Sequence, residues 1–212
     1  MKVTVFGATG GIGGHVTRQA LEHGWAVTAV VRDPARLEVR HSMLDVAAAP
    51  DLKDPATVRP LLRGSDVVLS GVGPRGRKDG PVASTATRTI LAAMQTEGVR
   101  RLITVSAVPV GPVPVGESFL NRRLILPGIG ALLRDVYADL RAMEQAMAES
   151  DTDWTVVRPP KLVDKPLTGR YRTAVGSNVP RGYTISKADV AHSMIAAIND
   201  STTIRRAIGV AY

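Results

Sequence analysis

The residues best placed to do chemistry come first in the chain. Val3 to Gly14 read VTVFGATGGIGG, an apolar run followed by Gly7, Gly10 and Gly13 at three-residue spacing. A strand made of Val3, Thr4, Val5 and Phe6 suits the centre of a parallel sheet. Gly7 permits a tight turn off it, and Gly10 and Gly13 carry no Cβ, so a pyrophosphate can rest against exposed backbone N–H groups while the next helix packs on the sheet. That helix is predicted from about Ile12 to His23, with Ile12, Val16, Ala20 and Leu21 on one face. A glycine triplet alone is a weak signal. Between a strand and a helix it predicts a dinucleotide site.

The second apolar run, Trp25 to Val31, is followed by Arg32, at the position where such folds meet the adenosine ribose. An acidic side chain there bonds the 2′-hydroxyl, whereas an arginine accommodates a 2′-phosphate. The guanidinium fork suits phosphate oxygens, and Arg36, four residues on, is placed to join Arg32. Asp33 argues for NAD, but a strand-end neighbour points to the other side. A solvated strand-end charge is the plainer reading of Arg32. The sequence favours NADP.

These residues need a scaffold, and strand and helix patterns alternate almost to the end of the chain. This predicts an α/β fold: a Rossmann-type, doubly wound parallel sheet covered on both faces, in a single domain over 1–212. His41 to Val46 reads as a weak third strand ending at Asp45-Val46, Pro55 to Leu62 as a short helix, and Asp66 to Ser70 as the fourth strand, closing on Gly71-Val72-Gly73. A polar loop through Arg75, Arg77 and Lys78 leads to a helix around Ala83 to Thr96. Leu102 to Val105 is the fifth strand and ends at Ser106. Asp135 to Glu149 is a helix, Trp154 to Val157 the sixth strand, and Pro159-Pro160 stops it. Ser186 with Asp189 has the spacing of a capping box before a stripe of Ala191, Met194, Ile195 and Ile198, and Ile208 to Val210 reads as a final strand.

The stretch from Val108 to Leu133 is least regular, with Pro109, Pro112, Pro114 and Pro127 among apolar residues. It is too rich in proline for a sheet interior and too apolar for a linker. It reads as a lid or partner-facing segment near the substrate, or as a loop folded onto the core.

Composition narrows the function classes. The 212 residues carry a net charge of +8 and no cysteine, which excludes disulfides and thiolate chemistry. The basic residues are scattered, and aromatics make up 4% of the chain, so no stacking platform for nucleic acid is expected. No apolar run approaches a membrane span, and the early first strand leaves no room for a signal peptide; a soluble cytoplasmic protein is expected. The histidines (His15, His23, His41, His192) lack ligand spacing, so no metal site is expected.

The motifs FGATGGIG (Phe6 to Gly13), VVRDPARL (Val30 to Leu37), LITVSA (Leu102 to Ala107), WTVVRPPKLVDKPLTGRY (Trp154 to Tyr171) and ISKADVAHSM (Ile185 to Met194) resemble the atypical short-chain dehydrogenase/reductase group with NmrA-like NAD(P)-binding domains. Within it the chain is most similar to the flavin reductase (biliverdin-IXβ reductase) type. The resemblance implies that Gly7, Thr9, Gly10, Gly11, Ile12 and Gly13 hold the pyrophosphate and that Arg32 and Arg36 take the 2′-phosphate. It implies further that Asp45 and Val46 flank the adenine, that Val72, Gly73 and Arg75 border the centre of the cofactor, and that Ser106 and Pro159 meet the nicotinamide end. For Ile12 and Val46, core packing is the equal alternative. Two features depart from that type: Lys161 stands where a histidine follows the two prolines, and the segment from Pro109 to Leu133 differs.

Most short-chain dehydrogenases use a Tyr-x-x-x-Lys pair, in which the lysine lowers the tyrosine pKa. Here Tyr137 and Arg141 have the spacing, but arginine does not replace lysine simply; Tyr137 otherwise reads as a half-buried helix residue. Interconversion of alcohols and ketones is therefore less expected than hydride transfer to a flavin or quinone, for which orientation supplies most of the rate. Ser106 is the candidate catalytic residue, placed to bond the acceptor or the nicotinamide carboxamide; a strand-end serine bonding local backbone is the alternative. The expectation is an NADPH-dependent reductase of a small planar acceptor. The alternatives are an NmrA-like redox sensor that binds the dinucleotide without turnover, and an NAD(P)-dependent epimerase or dehydratase.

Overall fold

Strand β1 (Lys2–Phe6) pairs in parallel with β2 (Ala26–Val31) on one side and with β4 (Val67–Ser70) on the other. The computed structural model describes residues 1–74, 76, 79–114, 116 and 133–212. With β3 (Leu44–Ala48), β5 (Arg101–Val105), β6 (Asp153–Arg158), β8 (Arg172–Val175) and β10 (Arg206–Ala211), the main sheet has the order β3-β2-β1-β4-β5-β6-β10-β8. All these pairings are parallel except the edge pair of β8 with β10, which is antiparallel. β7 (Lys161–Val163) and β9 (Thr184–Ser186) form a separate two-stranded parallel ladder. The fold is the doubly wound α/β arrangement that the alternating pattern predicts, and its strand order reverses between β1 and β4.

Period-two alternation sends the strand residues to two helical layers. Val3, Val5, Val27 and Ala29 pack with α1 (Gly11–Glu22) and α5 (Lys187–Ala197), where Val16, Ala20, Val190 and Met194 are buried. Phe6, Val30 and Val68 face α2 (Pro55–Val58), α3 (Val82–Glu97) and α4 (Arg134–Ala148) through Val58, Ile90, Met94, Met143 and Met147. Each fully buried aliphatic side chain contributes roughly 1.5–3 kcal/mol. Gln19 Nε2 ties the first layer together by donating to the Ala188 carbonyl at 3.0 Å.

Polar devices set the helix ends that matter for the site. No side chain of its own N-terminus caps α3. Instead the buried carboxylate of Asp139, on α4, accepts from the Ala83 and Ser84 N–H groups at 2.8 and 2.9 Å. An anion at a helix N-terminus satisfies orphan donors and complements the helix dipole.

Several expectations change. The third strand runs over Leu44–Ala48, not His41 to Val46, because Ser42 and Met43 form the turn into the ladder, closed by the Leu44 N–H on the His41 carbonyl, and pairing with β2 continues to Ala48. The helix expected over Pro55 to Leu62 divides into an α-turn and a 3₁₀ turn at Arg59–Leu62. Ser186 Oγ does accept from the Asp189 N–H at 2.9 Å, but the reciprocal half of the capping box is missing: the Ser186 N–H donates to Tyr212 Oη. Asp189 turns instead to Thr168, Gly169 and Tyr212. Burial works to raise the Asp189 pKa, yet the bonds from Tyr212, Thr168 and Gly169 outweigh it and hold it at about 2. Tyr137 is buried, with 7% exposure, deeper than the half-buried position expected.

Candidate functional site

The turn after β1 is held by its own backbone. Gly7 has φ +74°, and its carbonyl accepts from the Gly10 N–H at 2.8 Å. A Cβ on Gly13 would lie 2.2 Å from that same Gly7 oxygen, so α1 can enter this close to the strand end only with glycine at position 13. Gly10, the residue before α1, supplies no side-chain cap, and the first turn of α1 holds no acidic residue. The start of α1 thus lies uncapped at the strand-order reversal, the place where phosphate is received in open α/β sheets.

A cleft of about 1000 Å³ opens over this turn, a size in the range of ligand sites. Of the residues expected to bind a cofactor, it brings together Gly7, Thr9, Gly10, Gly11, Ile12, Arg32, Arg36, Val72 and Gly73. Gly13 lies beneath the turn as a packing residue. Asp45 and Val46 sit in the middle of β3 and do not line the cleft; Ala49, Pro50, Asp51, Leu52 and Lys53, beyond the strand's carboxyl end, do. Arg75 lies outside the described residues, as does most of the expected lid, 115 and 117–132.

At one end of the cleft stand Arg32, Arg36 and Lys53. Asp33 Oδ1 accepts from the Ala35 N–H at 3.0 Å and so starts the 3₁₀ turn Pro34–Arg36. Its carboxylate is used by the loop that presents Arg36. Lys53 reaches the Asp51 carboxylate at 3.6 Å. The sequence reading missed Lys53 because it ended the third strand too early.

Ser106 and Pro159 occupy neighbouring carboxyl ends, after β5 and β6, and do not line the main cleft. The Ser106 N–H donates to the Val157 carbonyl at 2.8 Å, while its buried Oγ finds no hydrogen-bond partner among the described residues. A buried hydroxyl left alone carries a desolvation cost that a bound polar group would relieve. Tyr137 packs with Phe6, Val68 and Val156, and burial pushes its pKa up, opposite to what a proton-shuttling phenol needs. Arg141 donates to the Pro109 carbonyl at 3.5 Å. Lys161 is exposed at the start of β7 and does not line the cleft.

The start of the irregular segment is anchored next to this end. Asn178 Nδ2 donates to the carbonyls of Val108 and Pro112, both at 2.9 Å. Arg158, paired with Glu144, lies where a Cβ on Gly111 would be, which presses the 3₁₀ turn Val108–Val110 against β6.

The residues lining the cleft fit a dinucleotide: a glycine cradle with no room for a Cβ at Gly13, a helix N-terminus without a side-chain cap, and the cations Arg32, Arg36 and Lys53. Among the described residues, no group of three or more His, Asp or Glu side chains is placed to hold a metal ion, and no helix is long and apolar enough to cross a membrane.

A family model described as NAD(P)H-binding matches residues 7–201. The chain is 29% identical over 166 residues to the (4-alkanoyl-5-oxo-2,5-dihydrofuran-3-yl)methyl phosphate reductase of Streptomyces griseus, covering 78% of this chain and 50% of that protein. An uncharacterised chloroplastic protein of Arabidopsis thaliana is 29% identical over 176 residues, covering 79% of this chain and 61% of its own length. The chain therefore spans less than two thirds of the length of both relatives. The solved structure of a Burkholderia pseudomallei protein matches with a TM-score of 0.82 at 28% identity, covering 100% of both chains. A Veillonella parvula short-chain dehydrogenase/reductase in complex with NADP matches with a TM-score of 0.77 at 20% identity, covering 100% of this chain and 94% of that one.

Proposed function

The chain belongs to this NAD(P)H-binding family, and from that premise we propose that it is an NADPH-dependent reductase that passes hydride to a planar acceptor such as a flavin or quinone. The observation that carries the proposal is the contrast between a complete phosphate cradle with its cationic end and a Tyr137 buried with its pKa raised. The family binds NAD(P)H, and among the described residues no tyrosine–lysine relay stands ready to move a proton to a carbonyl.

In this reading the α1 N-terminus and the Gly7–Gly13 turn receive the pyrophosphate, and Arg32, Arg36 and Lys53 surround the 2′-phosphate. Charge-assisted bonds of the guanidinium fork favour NADP over NAD. Ser106 Oγ, without a hydrogen-bond partner among the described residues, bonds the carboxamide or the acceptor and fixes their approach. The bound nicotinamide supplies a hydride, two electrons and a proton together; the second proton reaches a flavin or quinone from water. The protein's contribution is then orientation and exclusion of side reactions. The Streptomyces griseus relative is, by its name, a reductase of a phosphorylated furanone, which supports reductive chemistry.

Mixing the protein with NADPH and a panel of flavin mononucleotide and quinones, while following nicotinamide absorbance, tests the proposal. Steady oxidation with at least one acceptor is expected. Tight cofactor binding with no turnover across the panel would instead identify a sensor, and conversion of a sugar nucleotide without net oxidation would identify an epimerase.

A further inference from the structure

One wall of the cleft is formed by a residue far from the glycine turn in sequence. Lys187, the first residue of α5, lines the cleft together with Gly11. Its stem runs directly over the turn: a Cβ on Gly11 would lie 2.7 Å from Lys187 Cδ and 3.3 Å from its Nζ. The absence of a side chain at position 11 therefore makes room for the lysine. The ammonium is paired with Asp164 Oδ1 at 2.7 Å. The lysine side chain is only 30% exposed, whereas that of Asp164 is 82% exposed. The cation is seated against the cradle, and its carboxylate partner reaches in from solvent.

Ser186 caps the helix through its own side chain, and the Lys187 ammonium extends away from the helix to the cradle. A carboxylate next to a phosphate cradle repels the anion that the cradle would bind. It also occupies the Lys187 amine above Gly11. Close by, His15 has its pKa lowered by burial and by the charges of Arg18 and Lys187, so the histidine adds no positive charge there.

We infer that Lys187 is a cofactor-binding residue that neutralises the dinucleotide pyrophosphate, and that Asp164 holds it in reserve and competes with the cofactor for it. The inference rests on the NAD(P)H reading of the cleft and adds to it a cation contributed from the far end of the chain. Its partner is the pyrophosphate, common to NAD and NADP, so it strengthens binding without choosing between them. Choice remains with Arg32, Arg36 and Lys53.

Titration calorimetry of the full chain with NADP⁺ and with NAD⁺ tests this. Lys187→Met keeps the stem and removes the charge, and should weaken both cofactors by about tenfold, the usual scale of a charge-assisted hydrogen bond to phosphate. Asp164→Asn should tighten both by about two- to fivefold, since an exposed ion pair is worth up to about 1 kcal/mol. In the Lys187→Met background the Asp164→Asn gain should shrink. Lys187→Met binding both cofactors as tightly as the wild type, or Asp164→Asn weakening them, overturns the inference while leaving the cofactor reading intact. If Lys187→Met fails to fold by circular dichroism, the Asp164→Asn arm decides alone. Wild-type protein that binds neither cofactor overturns the reading and the inference together.

Discussion

The cleft over the glycine turn and the region around Ser106 are built in different ways. The phosphate end comes from consecutive residues: strand β1, the Gly7–Gly13 turn and the start of α1 lie within 2–22, and Arg32 and Arg36 follow one strand later. The region proposed to meet the acceptor lies outside the cleft's lining and is assembled from Ser106 after β5, Pro159 after β6, Asn178 after β8 and the anchored turn at Val108–Val110. Local construction sets the first region through short-range geometry, in a form that suits the pyrophosphate common to NAD and NADP. Assembly from distant segments leaves the second region free to differ from one relative to another, as loops on a fixed scaffold do.

This comparison can be broken most severely at the cradle. Gly13→Val places atoms where the Gly7 carbonyl stands, and should cost about 1–3 kcal/mol or more in overpacking together with loss of cofactor binding; thermal melts and calorimetry read both. Retained binding would show that α1 has room to retreat and that the cradle is not rigid.

The next effect is on the clasp between α5 and the chain's last strand. Asp189, with a folded pKa of about 2 against an ordinary 3.8, contributes stability that is fully present above the ordinary value and disappears as pH falls through the folded one. Denaturant unfolding should show about 2 kcal/mol lost over that acid window. Asp189→Asn should lack that component of the slope. An unchanged slope would remove Asp189 as its source.

A smaller effect sharpens the acceptor end. Ser106→Ala deletes an unpartnered buried hydroxyl, so the free protein should be as stable as the wild type or slightly more so. Turnover with an accepted quinone or flavin should fall by about three- to tenfold, the scale of one neutral hydrogen bond. Lost stability with unchanged turnover would make Ser106 a structural residue only.

The same contrast explains what was legible before the structure. The β1–turn–α1 unit could be read because each of its signals, β-branched run, glycine spacing and helical stripe, is local. The carboxyl end of β3 was misplaced because Asp45-Val46-Ala47-Ala48-Ala49 has no breaker before Pro50, and only pairing with β2 marks the strand's end at Ala48. Strands β7 and β9, each Lys161–Val163 and Thr184–Ser186 in extent, were not anticipated, since three residues are too few to show a period. β8 is mostly exposed, so it carries no alternating pattern. Lys53 and Lys187 reach the cleft through tertiary packing, which no spacing within the sequence records.

The account's central claim is that the cleft over Gly7–Gly13 takes NADP through the fork of Arg32. Parallel calorimetric titrations of NADP⁺ and NAD⁺ into the wild type and Arg32→Ala test it most directly. Wild-type protein should prefer NADP⁺, and Arg32→Ala should lose about tenfold or more of its NADP⁺ affinity, the worth of a hydrogen bond to a charged group, with NAD⁺ nearly unchanged. Equal losses for the two cofactors, or no binding of either to the wild type, would contradict the claim.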